Sequence, residues 1–327
     1  MPSSLTVYKE VQLPAAPALL YNNIVVHRNG EYVSYATPTA LVSVQTATGT
    51  PCFHPLEVPS DTCAAFLAGV TDPSVANVIL VAALANSTAL VLVNGQLMHT
   101  VNAKVPAETF TCVAVTRVAN SEEMLVVLGG SMGSIEATRY TLQGKLLTVT
   151  SPSLPVQAHE RRSITALDVR VAADAAGAVE VASGDKGGHV VLWKAGNPTL
   201  CFPPADATDA VTSVRWLHHE GRVAVAYGGG RIKVVDSETG ATVVVIEAHS
   251  RWINAMGYNE GKRLLVSAAE DGQIFIWNLN AATPDDVCVA RGSVANEMLT
   301  GVAMMGAHCA VIQLSYDVPK LRLMSCS

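Results

Sequence analysis

Short runs of apolar residues, many of them alternating with polar ones, fill most of this chain, and Gly, Asn or Thr-Gly steps separate them. Leu41-Val42-Ser43-Val44-Gln45 and Ile232-Lys233-Val234-Val235-Asp236 are two examples, each followed closely by a Thr-Gly step (Thr48-Gly49, Thr239-Gly240). A period near two marks half-buried β-strands, and no long stretch keeps the 3.6-residue period of an amphipathic helix. Gly at these steps supplies the positive φ that a tight hairpin needs, and Asn94-Gly95 after an apolar run is a strong two-residue hairpin signal. The longest apolar stretch, residues 78–93, is interrupted by Asn86-Ser87-Thr88. It is too short to span a bilayer and predicts two strands joined by a turn.

The strands recur at a fixed interval. Trp193, Val235 and Trp277 are 42 residues apart, and each closes a Gly-rich turn plus strand with a polar residue behind it (Lys194, Asp236, Asn278). A repeat of roughly 40–45 residues that ends in a Trp-Asp-like pair resembles the WD-repeat β-propeller family. The last of these units is the fullest, with Ala248-His249, Ile253-Asn254-Ala255-Met256, Ser267, Glu270-Asp271-Gly272 and Trp277-Asn278 in order. The resemblance implies that His249, Ser267, Asp271 and Trp277 form one buried hydrogen-bonded chain across the blade. An apolar blade tolerates a buried Asp only when it is fully paired.

Other units depart from that pattern. Residues 158–193 keep Ala158-His159, Ser183 and Trp193, yet Gly187 stands at the count where Asp271 stands, which predicts an incomplete polar chain. Between them, Ala226 replaces the Ser and Val235 the Trp, which predicts a purely apolar blade.

Counting units gives an all-β, seven-bladed WD-type β-propeller, one domain over residues 1–327. The expected blades cover residues 19–55, 61–101, 108–150, 159–202, 209–247 and 249–291. The seventh has only three strands, at 299–305, 308–315 and 321–324. Residues 5–11 are the expected fourth strand, which closes the ring and leaves no long edge unpaired. Six blades plus an independent N-terminal strand is the competing architecture.

Composition narrows the chemistry. Half of the residues are hydrophobic and only 15% are charged, enough to bury a large core. The net charge of −6 argues against nucleic acid as the main partner, because a phosphate-binding surface needs a basic stripe. No charged start followed by an apolar segment opens the chain, so no secretory leader and no membrane insertion are expected. The seven cysteines include no Cys-x-x-Cys pair, which points to a reducing, cytoplasmic setting without a zinc site. His218-His219 reads as a solvated turn. Gly228-Gly229-Gly230-Arg231 precedes a strand rather than a helix, so it reads as a hairpin turn and not a phosphate cradle.

No catalytic constellation is present: there is no Ser nucleophile elbow and no His-Glu-x-x-His. Asp185 and Asp271 fall in equivalent turns rather than converging as an acid/base pair. No enzyme activity and no cofactor are expected. In propellers the loops from strand d to strand a and from b to c share one face. Here they hold Arg161, Arg162, Asp185, Lys186, Arg231, Arg251, Trp252 and Glu270, the candidate partner-binding residues. Trp and Arg are favoured interface anchors, and Arg251-Trp252 lies directly before a strand a.

Ser163-Ile164-Thr165, Ala226-Tyr227-Gly228, Ala248-His249 and Gly261-Lys262-Arg263-Leu264-Leu265 are also similar to a small single-propeller family, WD repeat-containing protein 54. The similarity covers mainly residues 163–277, with weaker islands such as 15–23. It implies a non-catalytic intracellular interaction protein and carries over no binding residues. The functional expectation is therefore a scaffold that docks a protein or peptide on the d–a/b–c face. The alternative is a propeller enzyme or small-ligand-binding protein with a site in the central channel.

Overall fold

Turns of a few residues force each strand to pair antiparallel with the next, so every repeat becomes a four-stranded meander. The computed structural model describes residues 2–52, 56–72, 77–118, 121–143, 146–152, 156–171, 178–203, 209–218, 220–306 and 310–326. Among them the only helical segments are two short 3-10 turns, Arg28–Gly30 and Pro284–Asp286.

Seven blades follow in sequence order. Blade one is Val25–His27, Tyr32–Ala36, Ala40–Gln45 and Leu56–Glu57. Blade two is Ala64–Asp72, Asn77–Leu84, Thr88–Val93 and Gln96–Asn102. Blade three is Phe110–Arg117, Glu123–Gly130, Ser134–Gln143 and Leu146–Pro152, with Val156–Gln157 also pairing to its third strand. Blade four is Ile164–Val171, Val179–Asp185, Val190–Lys194 and Asn197–Phe202. Blade five is Val211–Leu217, Arg222–Tyr227, Arg231–Asp236 and Thr242–Glu247. Blade six is Ile253–Asn259, Leu264–Ala269, Gln273–Asn278 and Cys288–Ser293. Blade seven takes Leu299–Met305, Ala310–Ser315 and Lys320–Cys326 from one end of the chain and Ser3–Gln12 from the other.

The strand Ser3–Gln12 closes the ring. It runs antiparallel to Lys320–Cys326 from Leu5↔Cys326 to Gln12↔Lys320. Its first residues also pair parallel with blade six, Ser3 beside Ala290 and Ser4 beside Arg291. Blades six and seven thereby become one eight-stranded sheet, a link that alternation along the sequence does not reveal. Two expected ends also shift. The outer strand of blade one is Leu56–Glu57, just past the expected limit at 55, and blade three extends to Pro152. His308, expected to begin a strand of blade seven, and His219 lie outside the described residues.

Burial explains the composition of each strand. Asn77–Leu84 is buried at every position, because neighbouring blades cover both faces of a middle strand, and its side chains need not alternate. Outermost strands face water, and Thr242–Glu247 shows the alternating, largely exposed pattern expected there. In blades two to seven, strand a slips register at its second residue, for example between Ile253 and Ala255 or Leu299 and Gly301. Such bulges bend a strand and re-aim a side chain. Here they turn polar residues toward the next blade: Thr111 Oγ1 donates to the Ile164 carbonyl, and Thr165 Oγ1 to that of Val211. Asn254 Nδ2 donates to the Leu299 carbonyl at 2.9 Å. These bonds tie blade three to blade four, blade four to blade five, and blade six to blade seven around the channel.

Candidate functional site

On the d–a/b–c face, two blades carry matched polar chains. In blade six, Trp277 Nε1 donates to Ser267 Oγ at 2.9 Å, and Ser267 lies 2.8 Å from His249 Nε2. His249 Nδ1 then lies 3.1 Å from Asp271 Oδ1. One proton arrangement satisfies all of these contacts: Trp donates to Ser, Ser to Nε2, and Nδ1–H to the carboxylate of Asp271. Asp271 also accepts backbone N–H groups from Ser250 and Gln273 at 3.0 and 2.9 Å. Burial opposes its charge, but His249 and these N–H donors prevail, so its pKa falls below the usual carboxylate range.

Blade four corrects the expectation of an incomplete chain. Trp193 Nε1 donates to Ser183 Oγ at 2.9 Å, Ser183 lies 2.8 Å from His159 Nε2, and His159 Nδ1 lies 2.9 Å from Asp185 Oδ2. Asp185 replaces the residue expected at Gly187, because the carboxylate comes from the end of strand b instead of the following turn. Its other oxygen accepts the N–H groups of Gly187 and His189 at 2.8 and 2.9 Å, so the turn winds around it. Asp185 is fully buried, and Arg162 Nε donates to it at 2.9 Å. Burial again opposes ionisation, yet His159 and Arg162 hold the carboxyl far below its ordinary pKa. Asp185, a candidate partner-binding residue by sequence, is therefore placed in the blade's interior.

Blade five is apolar where these chains would run: Ala226 and Val235 are both buried. Blade three has a different device. Glu108 is fully buried, accepts the N–H groups of Met132 and Ser134, and receives a short hydrogen bond from the Ser134 hydroxyl. It precedes strand a as His159 and His249 do, and that position was the available signal. In blade one, His27 Nε2 lies 3.1 Å from Ser34 Oγ, which lies 2.7 Å from Ser43 Oγ. Burial pushes the His27 pKa down to about 4.

The remaining candidate residues separate into engaged and exposed groups. Arg162 bonds Asp185 and Glu160, and Arg231 Nε bonds Glu247 at 3.1 Å. Arg161 and Lys186 are exposed beside each other's blade-four turns, and Arg251 is exposed on blade six. Trp252 is half-buried. Its ring stacks on Tyr21 with centroids 6.3 Å apart and planes 14° apart. On blade five it crowds Gly228, where an added Cβ would come within 2.6 Å of the indole. Glu270 lies against it through a backbone bond to the Trp252 carbonyl. The blade-four and blade-six groups are thus separated by blade five, and Trp252 is held by its own chain.

Tyr21 belongs to a feature that sequence reasoning missed. The next residue, Asn22, crosses the channel mouth on this face. Its N–H donates to the Asn254 carbonyl at 2.9 Å, and its Oδ1 accepts the Met256 N–H at 2.8 Å. Its Nδ2 reaches Ser213 Oγ at 3.4 Å. Asn23 N–H donates to the Thr300 carbonyl, and its side chain bonds Ala36 in both directions. A connecting segment without periodicity gives no sign of these contacts beyond the paired Asn residues.

Among the described residues no group of His, Cys, Asp and Glu is arranged to hold a metal ion, and no helix is long and apolar enough to cross a membrane. The family model WDR54 matches residues 78–325. WD repeat-containing protein 54 of Mus musculus is 31% identical over 145 residues, 43% of this chain and 42% of that protein. WD repeat domain 54 of Rattus norvegicus is 33% identical over 132 residues, 40% of this chain and 39% of that one. The aligned part thus spans about two fifths of these relatives. In the crystal structure of Chaetomium thermophilum Raptor, a region resembles this fold with a TM-score of 0.76 at 11% identity, over 99% of this chain and 30% of that one. A chain in the crystal structure of the mitotic checkpoint complex gives a TM-score of 0.73 at 16% identity, over 97% and 93%. At such identities the likeness is one of fold.

Proposed function

Since the chain belongs to the WDR54 family, we propose that it is a non-catalytic scaffold that binds an acidic protein segment on the d–a/b–c face. Family and fold together support an interaction role in general. The finer reading rests on one observation. Arg161, Lys186 and Arg251 are exposed on this face, and among the described residues none of their side chains has an ion pair, although the chain as a whole is acidic. Three cations left without carboxylates on an acidic protein favour a partner that brings its own. Trp252, anchored by Tyr21 and Gly228, offers a rigid aromatic edge next to Arg251. The free cysteines, six among the described residues, favour a reducing compartment such as the cytoplasm.

The test is a quantitative pull-down with the wild-type chain and the triple variant R161E/K186E/R251E. The variant is expected to melt as the wild type does and to lose its stoichiometric partner. A partner retained in full by the reversed face would place the binding surface elsewhere.

A further inference from the structure

Strand a of every blade lines a central cavity of about 360 Å³. One end is capped by Asn22, through its bonds to blades five and six. The other end is bordered by His218 and Glu260, 3.4 Å apart and each about two fifths exposed. With Asn22 across one end, we read the cavity as a cup whose approach lies beside His218 and Glu260, on the face opposite Arg251 and Trp252.

Midway along the innermost strands the wall is small and apolar in five blades and charged in two. At one level of the innermost strands, five blades present Gly, Ala or Val, Ala68 and Gly257 among them. Blades four and five instead present Asp168 and Arg215, side by side in the ring. The Asp168 carboxylate is fixed, because its two oxygens accept the N–H groups of Val169 and Trp216 at 3.0 and 2.7 Å. Arg215 donates from Nη1 to the Val214 carbonyl at 2.8 Å, and among the described residues no carboxylate lies within ion-pair distance of it. A half-buried guanidinium with most of its N–H groups uncommitted is a carboxylate- or phosphate-binding group. Asp168 beside it and Glu260 below it disfavour a doubly charged phosphate through like-charge repulsion. They favour a ligand that carries a cation next to its carboxylate.

We propose that this cup binds a small zwitterion of the amino-acid or dipeptide class, with its carboxylate on Arg215 and its ammonium group toward Asp168. The cavity volume lies within the usual range for small-molecule sites and leaves room for a modest side chain over the Ala and Gly wall. This site is independent of the partner face.

The test is ligand-observed NMR followed by calorimetry on the full chain. The probes are the twenty free amino acids, a set of alanyl dipeptides, their N-acetylated and C-amidated forms, and inorganic phosphate. At least one probe with both ends free should bind, and capping either end should weaken it tenfold or more. Arg215→Ala should weaken it by a similar factor, whereas R161E/K186E/R251E should leave it unchanged. Ala68→Leu, which fills the cup and keeps both charges, should also abolish binding and guards against misfolding of the charge variant. If no zwitterion binds, if binding survives both cup variants, or if phosphate competes equally well, the proposal is overturned.

Discussion

Arg322 and Glu10 meet at the seam of the ring, with Nε donating to Oε1 across 3.0 Å although 312 positions separate them in the chain. The same guanidinium grips Glu297 with two N–H groups, each at 2.6 Å, and Lys320 bonds the other oxygen of Glu10 at 3.0 Å. Arg322 is only 7% exposed, so its charge depends on these carboxylates. Arg322→Met should destabilise by about 3 kcal/mol, as expected when one partner of a buried pair is removed. Glu10→Gln should cost less than about 1 kcal/mol, because Glu10 is 44% exposed. Removing residues 2–12 should lower the melting temperature most, since it also uncovers the edge of Lys320–Cys326. Equal melting of the truncated and complete chains would overturn the clasp.

Blade six offers a coupling experiment. Asp271→Ala and His249→Ala should each destabilise by about 1–3 kcal/mol, because each leaves a buried partner unsatisfied. The double variant should cost less than their sum, as residues of one hydrogen-bonded network do. Strict additivity in urea denaturation would show that the contact contributes nothing.

His27 predicts a pH window. Its ordinary pKa of 6.5 is lowered to about 4 by burial, with Arg28 adding to the effect. Above pH 6.5 both folded and unfolded chains carry a neutral ring, and its contribution is complete. Between 6.5 and 4 the unfolded chain takes up the proton first, so stability falls with pH by up to roughly 3 kcal/mol. Asp185 and Asp271 have lowered values, so their contribution is lost at more acid pH, below the ordinary carboxylate range. His27→Asn should flatten the upper window and leave the lower one. A flat wild-type profile from pH 6.5 to 4.5 would contradict this placement of His27.

Gly228 controls the posture of Trp252. A Cβ there would approach the indole to 2.6 Å, so Gly228→Ala should shift Trp252 and loosen its stack on Tyr21. The expected signs are a changed near-ultraviolet circular dichroism spectrum and a loss of about 1–3 kcal/mol from overpacking. An unchanged spectrum would mean that the indole does not occupy this position in solution.

Much of this molecule was legible in the sequence, for reasons that differ by region. Trp193 and Trp277 mark the ends of third strands, and large aromatic residues at a constant interval are hard to place in any other way. The orphan strand Ser3–Gln12 followed from a last blade one strand short. The role of Asp185 was misread because counting from the Trp assumes a fixed turn, whereas a carboxylate two residues earlier reaches the same histidine. The cap over the channel was invisible: Tyr21 and Asn22 find their partners in blades five and six, and local spacing carries no record of such distant contacts. The cup needed the ring itself, because Asp168 and Arg215 face an enclosed space only once the other five innermost strands surround them.

The clasp between Ser3–Gln12 and Lys320–Cys326 also sets a clock for biosynthesis. The first of these strands leaves the ribosome some 310 residues ahead of the one it pairs with. At roughly 5–20 residues per second, that is a wait of about 15–60 seconds. During that time Leu5 and Val11, both buried in the finished ring, have no partner strand to cover them. Chaperone engagement of the nascent chain should therefore persist until Lys320–Cys326 has emerged, however early the middle blades form.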